Sequence, residues 1–332
     1  MTMVGRKADH LRIAAGGNVA HVGGTGFERI RMRHRALPER GLADVSLETE
    51  LLGVRLRAPL VVSAMTGGTA EAAEVNARLA RAACEQGLAL VLGSGRALLD
   101  EPELLPTYRS ADRPPLLLGN LGAAQVRGPD GPARAERLVR LLGADGLTIH
   151  LNPIQEAVQP EGEPQFAGVT EGIAAIVRHL APLPVVVKEV GFGMDTADVA
   201  LLRDAGVAAI DVAGAGGTNW ALVEGRRQEQ AQLLSAAFDD WGVPTADALV
   251  EARAEAPGLP LIASGGLRDG VDAAKALALG ATAAGLARAF LLGARADRAG
   301  EVAAVLVRQL RVAAWAAGAA SAGELSAAHL RS

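Results

Sequence analysis

The chain has 332 residues, 50% of them hydrophobic, and a formal net charge of −4. This length and apolar content fit either two ordinary domains or one large α/β barrel. The slight negative charge, with basic residues scattered along the chain, argues against a nucleic-acid partner. Cys84 is the only cysteine in the sequence, so an intramolecular disulfide and cysteine-rich metal sites are excluded.

The first 58 residues carry no pattern of alternating strands and helices. Their start, Met1–Leu11, is polar and charged and lacks the apolar core of a signal peptide. No apolar run in the chain approaches the roughly 20 residues that span a bilayer. We therefore expect a cytoplasmic protein without a membrane partner, in which residues 1–58 form an N-terminal extension that packs on the main domain or folds over its mouth.

From Pro59 onward, short β-rich apolar runs alternate with longer alanine-rich segments of helical periodicity, which predicts βαβ units and a parallel sheet. The eight predicted strands are Leu60–Ala64, Leu88–Leu92, Leu116–Asn120, Gly146–His150, Val185–Glu189, Ala209–Val212, Leu261–Ser264 and Ala283–Leu286. The predicted helices are Glu71–Gln86, Pro132–Leu142, Thr170–Leu180, Thr196–Ala205, Val243–Ala256, Asp269–Leu279 and Glu301–Ala317. Eight such units favour an α/β fold of the (β/α)₈ TIM-barrel type over residues 59–332, rather than an open sheet.

A long connection, Gly214–Trp241, follows the sixth predicted strand. Connections from a strand to its helix are usually only a few residues long, and longer insertions at this face are usually functional or mobile. The segment is therefore a candidate lid over the mouth of the barrel.

Polar and glycine-rich residues follow seven of the predicted strands. The carboxyl ends of barrel strands meet at one face, where barrel enzymes build their sites, so these residues predict a ligand-binding mouth. The seven strand ends are Ser63–Gly68, Gly93–Arg96, Asn120–Gly122, His150–Glu156, Lys188–Gly193, Gly214–Trp220 and Ser264–Arg268.

The ends of strands seven and eight, Gly265-Gly266 and Ala287-Arg288, form a candidate phosphate cradle. Glycines allow main-chain N–H groups to approach a phosphate closely. A glycine pair on its own is more often a tight turn, but barrels frequently bind phosphate after strands seven and eight. The position therefore favours the cradle.

Lys188 ends the apolar run Val185-Val186-Val187, so its ammonium group is expected to project from a buried strand into the mouth. Position alone leaves three interpretations open. The lysine forms a Schiff base, or it neutralises an anionic ligand such as a reduced flavin ring, or it is the structural partner of Glu189.

Gln155 and Glu156 follow the fourth strand, together with His150. A single carboxylate beside water and substrate oxygens is a common way to hold Mg²⁺. The alternative, a solvated loop glutamate, is favoured by charge alone. A histidine at a strand end is as often a hydrogen-bonded core residue as a functional one, so both interpretations of His150 stay open.

Arg6-Lys7 lies in the N-terminal extension, close to His10. Two adjacent cations in a terminal segment are usually a solvated surface. If the extension closes over the mouth, they join Arg96 as a clamp for a substrate with two or three negative charges, in which arginine contributes bidentate geometry.

Together these strand-end motifs resemble the type 2 isopentenyl-diphosphate isomerases, and the resemblance covers nearly the whole chain. The most specific strings are His-Leu-Asn-Pro-x-Gln-Glu at residues 150–156 and Glu-Val-Gly-Phe-Gly at residues 189–193. Less specific strings are Arg-Lys-Ala-Asp-His-Leu at 6–11, Ala-Met-Thr-Gly-Gly at 64–68, Gly-Ser-Gly-Arg at 93–96, Gly-Gly-Thr-Asn at 216–219 and Ser-Gly-Gly-Leu-Arg at 264–268.

The resemblance implies an isomerase that moves a double bond between isopentenyl and dimethylallyl diphosphate in isoprenoid biosynthesis, using reduced FMN and Mg²⁺, with NADPH as the initial reductant. It implies that FMN lies across the mouth of the barrel, and that the protein is a homo-oligomer, a tetramer or an octamer. The implied FMN contacts are Ala64, Met65, Thr66, Ser94, Asn120, Lys188, Thr218, Gly265, Gly266, Leu267, Ala287 and Arg288. The implied substrate contacts are Arg6, Lys7, Ser94, Gly95, Arg96 and Gln155, and the implied Mg²⁺ ligand is Glu156.

The resemblance also implies that Lys188 stabilises the anionic reduced flavin. The group that delivers the proton stays open between the flavin and a side chain such as His150 or Gln155.

Three alternative functions are weighed against this one. A flavin barrel that oxidises 2-hydroxy acids needs a histidine base near the flavin, but the loop after strand six offers Asn219-Trp220. A nucleotide dehydrogenase of the inosinate type needs a nucleophilic cysteine in a mouth loop, whereas Cys84 lies in the first predicted helix and is expected to pack as a small apolar residue. A catalytically silent flavin- or phosphate-binding barrel would not need both Gln155-Glu156 and Arg6-Lys7.

Overall fold

The computed structural model describes residues 3–16 and 18–331. Met1, Thr2 and Gly17, which belong to the predicted extension, lie outside the described residues, as does Ser332. In the part of the chain that is described, no helix is long and apolar enough to cross a membrane.

Eight parallel strands close into a barrel in which each strand pairs with the next one along the chain and the eighth returns to the first. The strands are β1 (Leu60–Val62), β2 (Ala89–Val91), β3 (Leu116–Gly122), β4 (Gly146–Leu151), β5 (Val185–Glu189), β6 (Ala209–Asp211), β7 (Leu261–Ala263) and β8 (Ala283–Leu286). Closure is made where Leu286 pairs with Val62. The predicted barrel is confirmed, and each predicted strand differs from the observed one by at most two residues at an end.

Side chains along each strand point alternately into the barrel and toward the surrounding helices. Val61, Val186 and Ile262 belong to the cluster packed inside the barrel, whereas their neighbours Val62 and Val187 pack in the larger cluster formed with the surrounding helices. Because side chains alternate with a period of two residues, continuing from the inward positions toward the carboxyl ends brings Ser63, Lys188 and Ser264 to the inside. The polar strand ends are therefore directed into the mouth.

The opposite end of the barrel is closed by a hairpin from the N-terminal segment. Its strands, Thr49–Leu51 and Val54–Leu56, pair antiparallel, and Leu51 and Leu56 pack into the interior cluster with Val61. The hairpin supplies apolar side chains where the barrel interior would otherwise meet water.

Fourteen α-helices occur in the described residues. They are α1 (Met3–Gly16), α2 (Ala70–Gln86), α3 (Arg96–Asp100), α4 (Ala123–Val126), α5 (Gly131–Leu142), α6 (Pro153–Val158), α7 (Val169–Leu180), α8 (Thr196–Asp204), α9 (Trp220–Arg227), α10 (Glu229–Ala236), α11 (Thr245–Glu255), α12 (Gly270–Ala278), α13 (Arg288–Arg295) and α14 (Ala299–Ala317). All seven predicted helices are present. Their ends follow local signals: in α2, the Thr69 side chain accepts a hydrogen bond from Ala72 N, and Gly87 at φ 65° ends the helix.

Helix α1 was not predicted, because no helical pattern is visible in the extension. Its Leu11 and Ile13 are buried, while Arg6, Lys7 and His10 line the mouth. Positions 6, 7 and 10 share one face of a helix, and that face is polar because it borders a cavity. The helix therefore turns a partly exposed polar face to the cavity, beside its buried Leu11 and Ile13.

The long connection Gly214–Trp241 contains two short helices, α9 and α10, which pack on each other and on α6. The Asn219 side chain caps α9 by accepting a hydrogen bond from Leu222 N at 3.1 Å, and Ala221 and Val223 are buried. The segment is thus folded helical structure beside the mouth. Its action as a lid stays a prediction.

Cys84 lies within α2, as expected, but the expectation that it packs as a small apolar residue is wrong, since its side chain is exposed. The helix turns its apolar face, including Leu79 and Ala83, toward the core. Cys84 falls on the other side.

Candidate active site

A cavity of about 710 Å³ opens at the carboxyl ends of the strands, and helix α1 forms one of its walls. Nearly all the residues named from the sequence come together here. Those lining the cavity are Arg6, Lys7, Ala64, Met65, Thr66, Ser94, Arg96, Asn120, His150, Gln155, Glu156, Lys188, Thr218, Gly265, Gly266, Leu267, Ala287 and Arg288. Gly95 is not among the lining residues: a Cβ there would lie 2.4 Å from Leu138 Cδ1, so the residue faces the barrel helices instead.

His150 and Asn120 form a hydrogen-bonded pair on the inward face of neighbouring strands. Asn120 Nδ2 donates to Leu92 O at 3.1 Å, so its Oδ1 faces His150 Nδ1 at 2.9 Å. The ring must then donate through Nδ1, which leaves Nε2 as an acceptor. Burial, with the charges of Lys188 and Lys7, lowers the pKa of His150 to about 3. The imidazole is therefore neutral at physiological pH and a weak base.

Lys188 is buried, and its ammonium group donates to the main-chain carbonyl of Glu189. The neighbouring Glu189 carboxylate accepts from three successive main-chain N–H groups, those of residues 190–192, at 2.5 to 2.6 Å. Burial raises the pKa of Glu189 to about 7 despite these bonds. The carboxyl group fixes the loop that follows β5, and Val190 and Gly191 of that loop line the cavity.

A buried network holds Gln155 in one orientation. Its Nε2 donates to Glu224 Oε1 at 2.8 Å, and its Oε1 accepts from Asn152 Nδ2 at 3.2 Å. Glu224, whose side chain is fully buried, also contacts Arg227 and lies 2.8 Å from His10 Nε2. Burial acts to raise the pKa of Glu224, but the contacts with His10, Gln155 and Arg227 outweigh it and lower the pKa. Glu224 is therefore an ionised group behind the cavity wall.

Glu224 is a residue that sequence reasoning missed. It lies in α9, inside the connection that was interpreted only as a lid. The available signal was a helical pattern in residues 220–227, with Glu224 and Arg227 three residues apart on one face. Trp220 from the same helix stacks edge-on against His10, with ring centroids 5.3 Å apart.

The Glu156 carboxylate also lines the cavity, and each of its oxygens accepts one hydrogen bond. Asn152 Nδ2 donates to Oε1 at 2.9 Å, and Glu163 N donates to Oε2 at 2.7 Å. Among the described residues there is no group of three histidine, cysteine or acidic side chains arranged to hold a metal. Any Mg²⁺ at Glu156 would therefore have to complete its shell with water and ligand oxygens.

Three cations border the same part of the cavity. Arg96 pairs with Glu163 at 2.6 Å. With the Gln159 amide turned so that both of its ends are satisfied, its oxygen accepts from Arg6 at 3.1 Å and its nitrogen donates to Glu224 at 3.2 Å. Lys7 donates to Ser94 O at 3.0 Å. Burial, followed by the charge of Arg6, lowers the pKa of Lys7 to about 7.

Gly265 and Gly266 adopt φ values of 103° and 75°, in the left-handed region. A Cβ on Gly265 would lie 2.1 Å from Gly214 O, and one on Gly266 would lie 2.5 Å from Gly216 O. The pair is thus a tight turn that packs main chain against main chain on the loop after β6. Its role as a phosphate cradle stays a prediction.

Two hydroxyl groups on the cavity wall are unsatisfied within the described part of the chain. Ser63 Oγ and Thr66 Oγ1 are buried and have no hydrogen-bond partner there. Buried polar atoms are nearly always paired in proteins, so both hydroxyls require a hydrogen-bond partner from outside the described residues.

Comparison with known families gives a match to the FMN-dependent dehydrogenases over residues 8–98 and 154–332. Among solved structures, a mandelate oxidase with (S)-4-hydroxymandelic acid superposes with a TM-score of 0.65 at 23% identity, covering 98% of this chain and 94% of that one. A mandelate oxidase variant with benzaldehyde gives a TM-score of 0.67 at 24% identity, covering 98% and 93%. At this identity the likeness concerns the fold alone.

Curated relatives are much closer in sequence. An isopentenyl-diphosphate delta-isomerase of Stutzerimonas stutzeri is 47% identical over 99% of this chain and 97% of its own. Enzymes of the same name from Xanthobacter autotrophicus and a Synechococcus species are each 49% identical, over 95% and 90% of this chain and 94% and 86% of their own. The chain belongs to the FMN-dependent, type 2 family of isopentenyl-diphosphate delta-isomerases.

Proposed function

We propose that this protein interconverts isopentenyl and dimethylallyl diphosphate by a 1,3-allylic proton shift, with reduced FMN and Mg²⁺, in isoprenoid biosynthesis. NADPH would reduce the flavin before the first turnover. The observation that carries the proposal is the placement of Arg6, Lys7 and Arg96 around the same cavity as Gln155 and Glu156. In this assignment residues 1–58 are an extension whose first helix borders the mouth and whose hairpin closes the opposite end of the barrel, and residues 59–332 are the barrel that binds FMN and substrate.

The volume of the cavity and its polar groups without hydrogen-bond partners among the described residues suit FMN. The buried hydroxyls of Ser63 and Thr66 would accept or donate a hydrogen bond, and the Lys188 side chain lines the same cavity. We assign the flavin to the twelve residues from Ala64 to Arg288 named from the sequence. Reduced FMN, when bound, supplies an exchangeable proton and an electron-rich ring.

The diphosphate is assigned to Arg6, Lys7 and the Ser94-Gly95-Arg96 turn. Gly95 would contribute only main chain, because the residue faces away from the cavity. Glu156 would bind Mg²⁺ through its carboxylate, with the remaining ligands from water and the diphosphate, which is how Mg²⁺ usually binds with phosphates. Arg96 would exchange its present partner Glu163 for the diphosphate.

The residues around the hydrocarbon end would orient the substrate and exclude water. The Gln155 amide is held at both ends by protein groups, so it presents a fixed dipole to the cavity. His150 is uncharged and presents a lone pair at Nε2, which suits a hydrogen-bond acceptor better than a proton donor. Trp220 and Leu11 add apolar surface to the cavity wall and shield a developing positive charge from water.

The proposal also includes a homo-oligomer, a tetramer or octamer. Large apolar side chains are exposed on and beside α10: Leu233 is 89% exposed and Trp241 is 58% exposed. Exposed apolar groups of this size frequently mark protein–protein contacts. The chain's partners would then be a small diphosphate substrate and further copies of itself.

Label transfer from D₂O tests the reaction. With reduced FMN and Mg²⁺, isopentenyl diphosphate should yield dimethylallyl diphosphate with deuterium in a methyl group, because the added proton comes from a group in exchange with solvent. No more than about one NADPH per flavin, the two electrons that reduce FMN once, should be consumed over many turnovers, since the reaction is redox-neutral. Enzyme with oxidised flavin is the control. NADPH loss with each product, or no product with reduced enzyme, would refute the proposal.

A further inference from the structure

Tyr108 is a buried side chain that sequence reasoning did not single out. It follows the short 3₁₀ helix Pro102–Thr107 and is 2% exposed. Its ring lies against Gly67, where an added Cβ would come within 2.0 Å of ring atom Cε1. The main chain is anchored as well, since Asn76 donates to Thr107 O at 2.8 Å. The phenol therefore has a fixed position.

The hydroxyl of Tyr108 sits between Lys7 and Ser94. Lys7 Nζ donates to Tyr108 Oη at 2.7 Å, and Tyr108 Oη donates to Ser94 O at 2.8 Å. Lys7 Nζ also donates to Ser94 O at 3.0 Å. Two of the three ammonium protons are thus used, which leaves one donor for the cavity that Lys7 lines.

The Tyr108 ring makes a second contact with the Lys7 ammonium group. Lys7 Nζ lies 5.2 Å from the ring centroid, within the range of cation–π attraction. Lys7 is long and flexible, whereas the phenol and the Ser94 carbonyl belong to the folded barrel. A lysine held at three points loses little further side-chain freedom when a ligand binds.

We infer that Tyr108 is a positioning residue that aims the Lys7 ammonium group at the diphosphate of the substrate. The inference rests on the proposed function, because it takes the diphosphate as the ligand of Lys7. Tyr108 itself touches the lysine and Ser94, and it acts on the substrate only through them.

The test uses the flavin-loaded enzyme and the variants Tyr108→Phe, Lys7→Met and the pair. Tyr108→Phe keeps the ring and removes the hydroxyl. We expect inorganic pyrophosphate with Mg²⁺ to bind about 5- to 10-fold more weakly to Tyr108→Phe, with KM for isopentenyl diphosphate raised alike and kcat within about 2-fold. In the Lys7→Met background the same change should have no further effect, because the two residues act as a unit. Trp315→Phe is the matched control, since it removes an aromatic donor to Arg40 O outside the cavity lining.

The outcomes separate this inference from the proposed function. If Lys7→Met weakens pyrophosphate binding but Tyr108→Phe does not, or if Tyr108→Phe costs the same factor in both backgrounds, the positioning role is refuted and the proposed function stands. If Lys7→Met itself leaves binding unchanged, the proposed role of Lys7 fails and the inference fails with it.

A second measurement avoids mutation of Tyr108. The chain contains one tyrosine, so 3-fluorotyrosine incorporated throughout the protein reports Tyr108 alone. Its ¹⁹F resonance should shift when Mg²⁺ pyrophosphate is added to the flavin-loaded enzyme and should stay in place in Lys7→Met. An unshifted resonance in the otherwise unchanged enzyme, or an equal shift in both proteins, would overturn the inference.

Discussion

Protonation of Lys7 should control how tightly the diphosphate binds. Burial and the adjacent Arg6 charge lower the pKa of Lys7 to about 7 from its ordinary 10.5. The other groups facing it add no compensating negative charge: burial lowers the pKa of His150 and raises the pKa of Tyr108, so both are neutral near pH 8. At pH 8 only about a tenth of the free enzyme would then carry the ammonium form.

A diphosphate with two or three negative charges favours the ammonium form and should raise the lysine pKa again. Binding at pH 8 should therefore take up about 0.9 proton, whereas binding at pH 6 should take up about 0.1. Because the charged form binds, affinity should fall roughly 50-fold between pH 7 and pH 9, a range in which an ordinary lysine stays charged.

Titration calorimetry of pyrophosphate binding in two buffers of different ionisation enthalpy measures this proton uptake directly. Lys7→Met is the control, in which the uptake at pH 8 should disappear. The ligand-free protein gives an independent check. Because the pKa of Lys7 is lower in the folded state than in the unfolded state, the buried lysine lowers the free energy of unfolding. The full loss applies below pH 7, and it disappears as the pH rises toward 10.5. Lys7→Met should therefore raise the Tm more at pH 6 than at pH 9. Zero proton uptake at pH 8 in the unchanged enzyme would refute the reasoning.

Two further predictions concern the metal and the cofactor. Glu156→Gln preserves the shape of the side chain but removes its charge, so activity should fall about 100-fold or more while FMN stays bound, as a Mg²⁺ titration of activity and the flavin spectrum would check. An unchanged Mg²⁺ dependence would place the metal elsewhere. FMN should bind more tightly than FAD in flavin-release titrations, because a cavity of about 710 Å³ has to hold the substrate as well. Equal affinities would count against the assignment.

The barrel could be predicted because its strands and helices carry simple patterns. The run Val185-Val186-Val187 predicts a buried strand without reference to the rest of the chain. The alternation of side chains along that strand then directs Lys188 inward. The glycine pair at 265–266 was predicted to be a phosphate cradle, and that role stays a prediction. In the structure, glycine is needed at these two positions because the main chain packs against Gly214 and Gly216. Partners so far apart in the sequence cannot be predicted from the sequence alone.

The residues that escaped prediction lie where the site itself disturbs the pattern. Helix α1 directs Arg6, Lys7 and His10 at a cavity, so polar residues interrupt the apolar pattern that would mark the helix in the sequence. Glu224 and Tyr108 are buried polar groups whose partners come from distant segments: Gln155 and His10 for Glu224, Lys7 and Ser94 for Tyr108. A lone Glu or Tyr in a sequence normally predicts surface or core, and only the fold reveals these contacts.

The N-terminal segment and the connection after β6 hold each other in place, and this links the proposed diphosphate clamp to the structure of the insertion. His21 N donates to Gly217 O at 3.0 Å and Asn219 N donates to Val19 O at 2.7 Å, which fixes the chain just after α1 onto the loop before α9. Helix α1 then packs on α9, with His10 against Trp220 and Glu224. Because Arg6 and Lys7 lie on the same helix as His10, we expect a change that loosens α9 to displace the proposed diphosphate clamp. The insertion therefore packs as a support of the mouth, and its action as a lid stays a prediction.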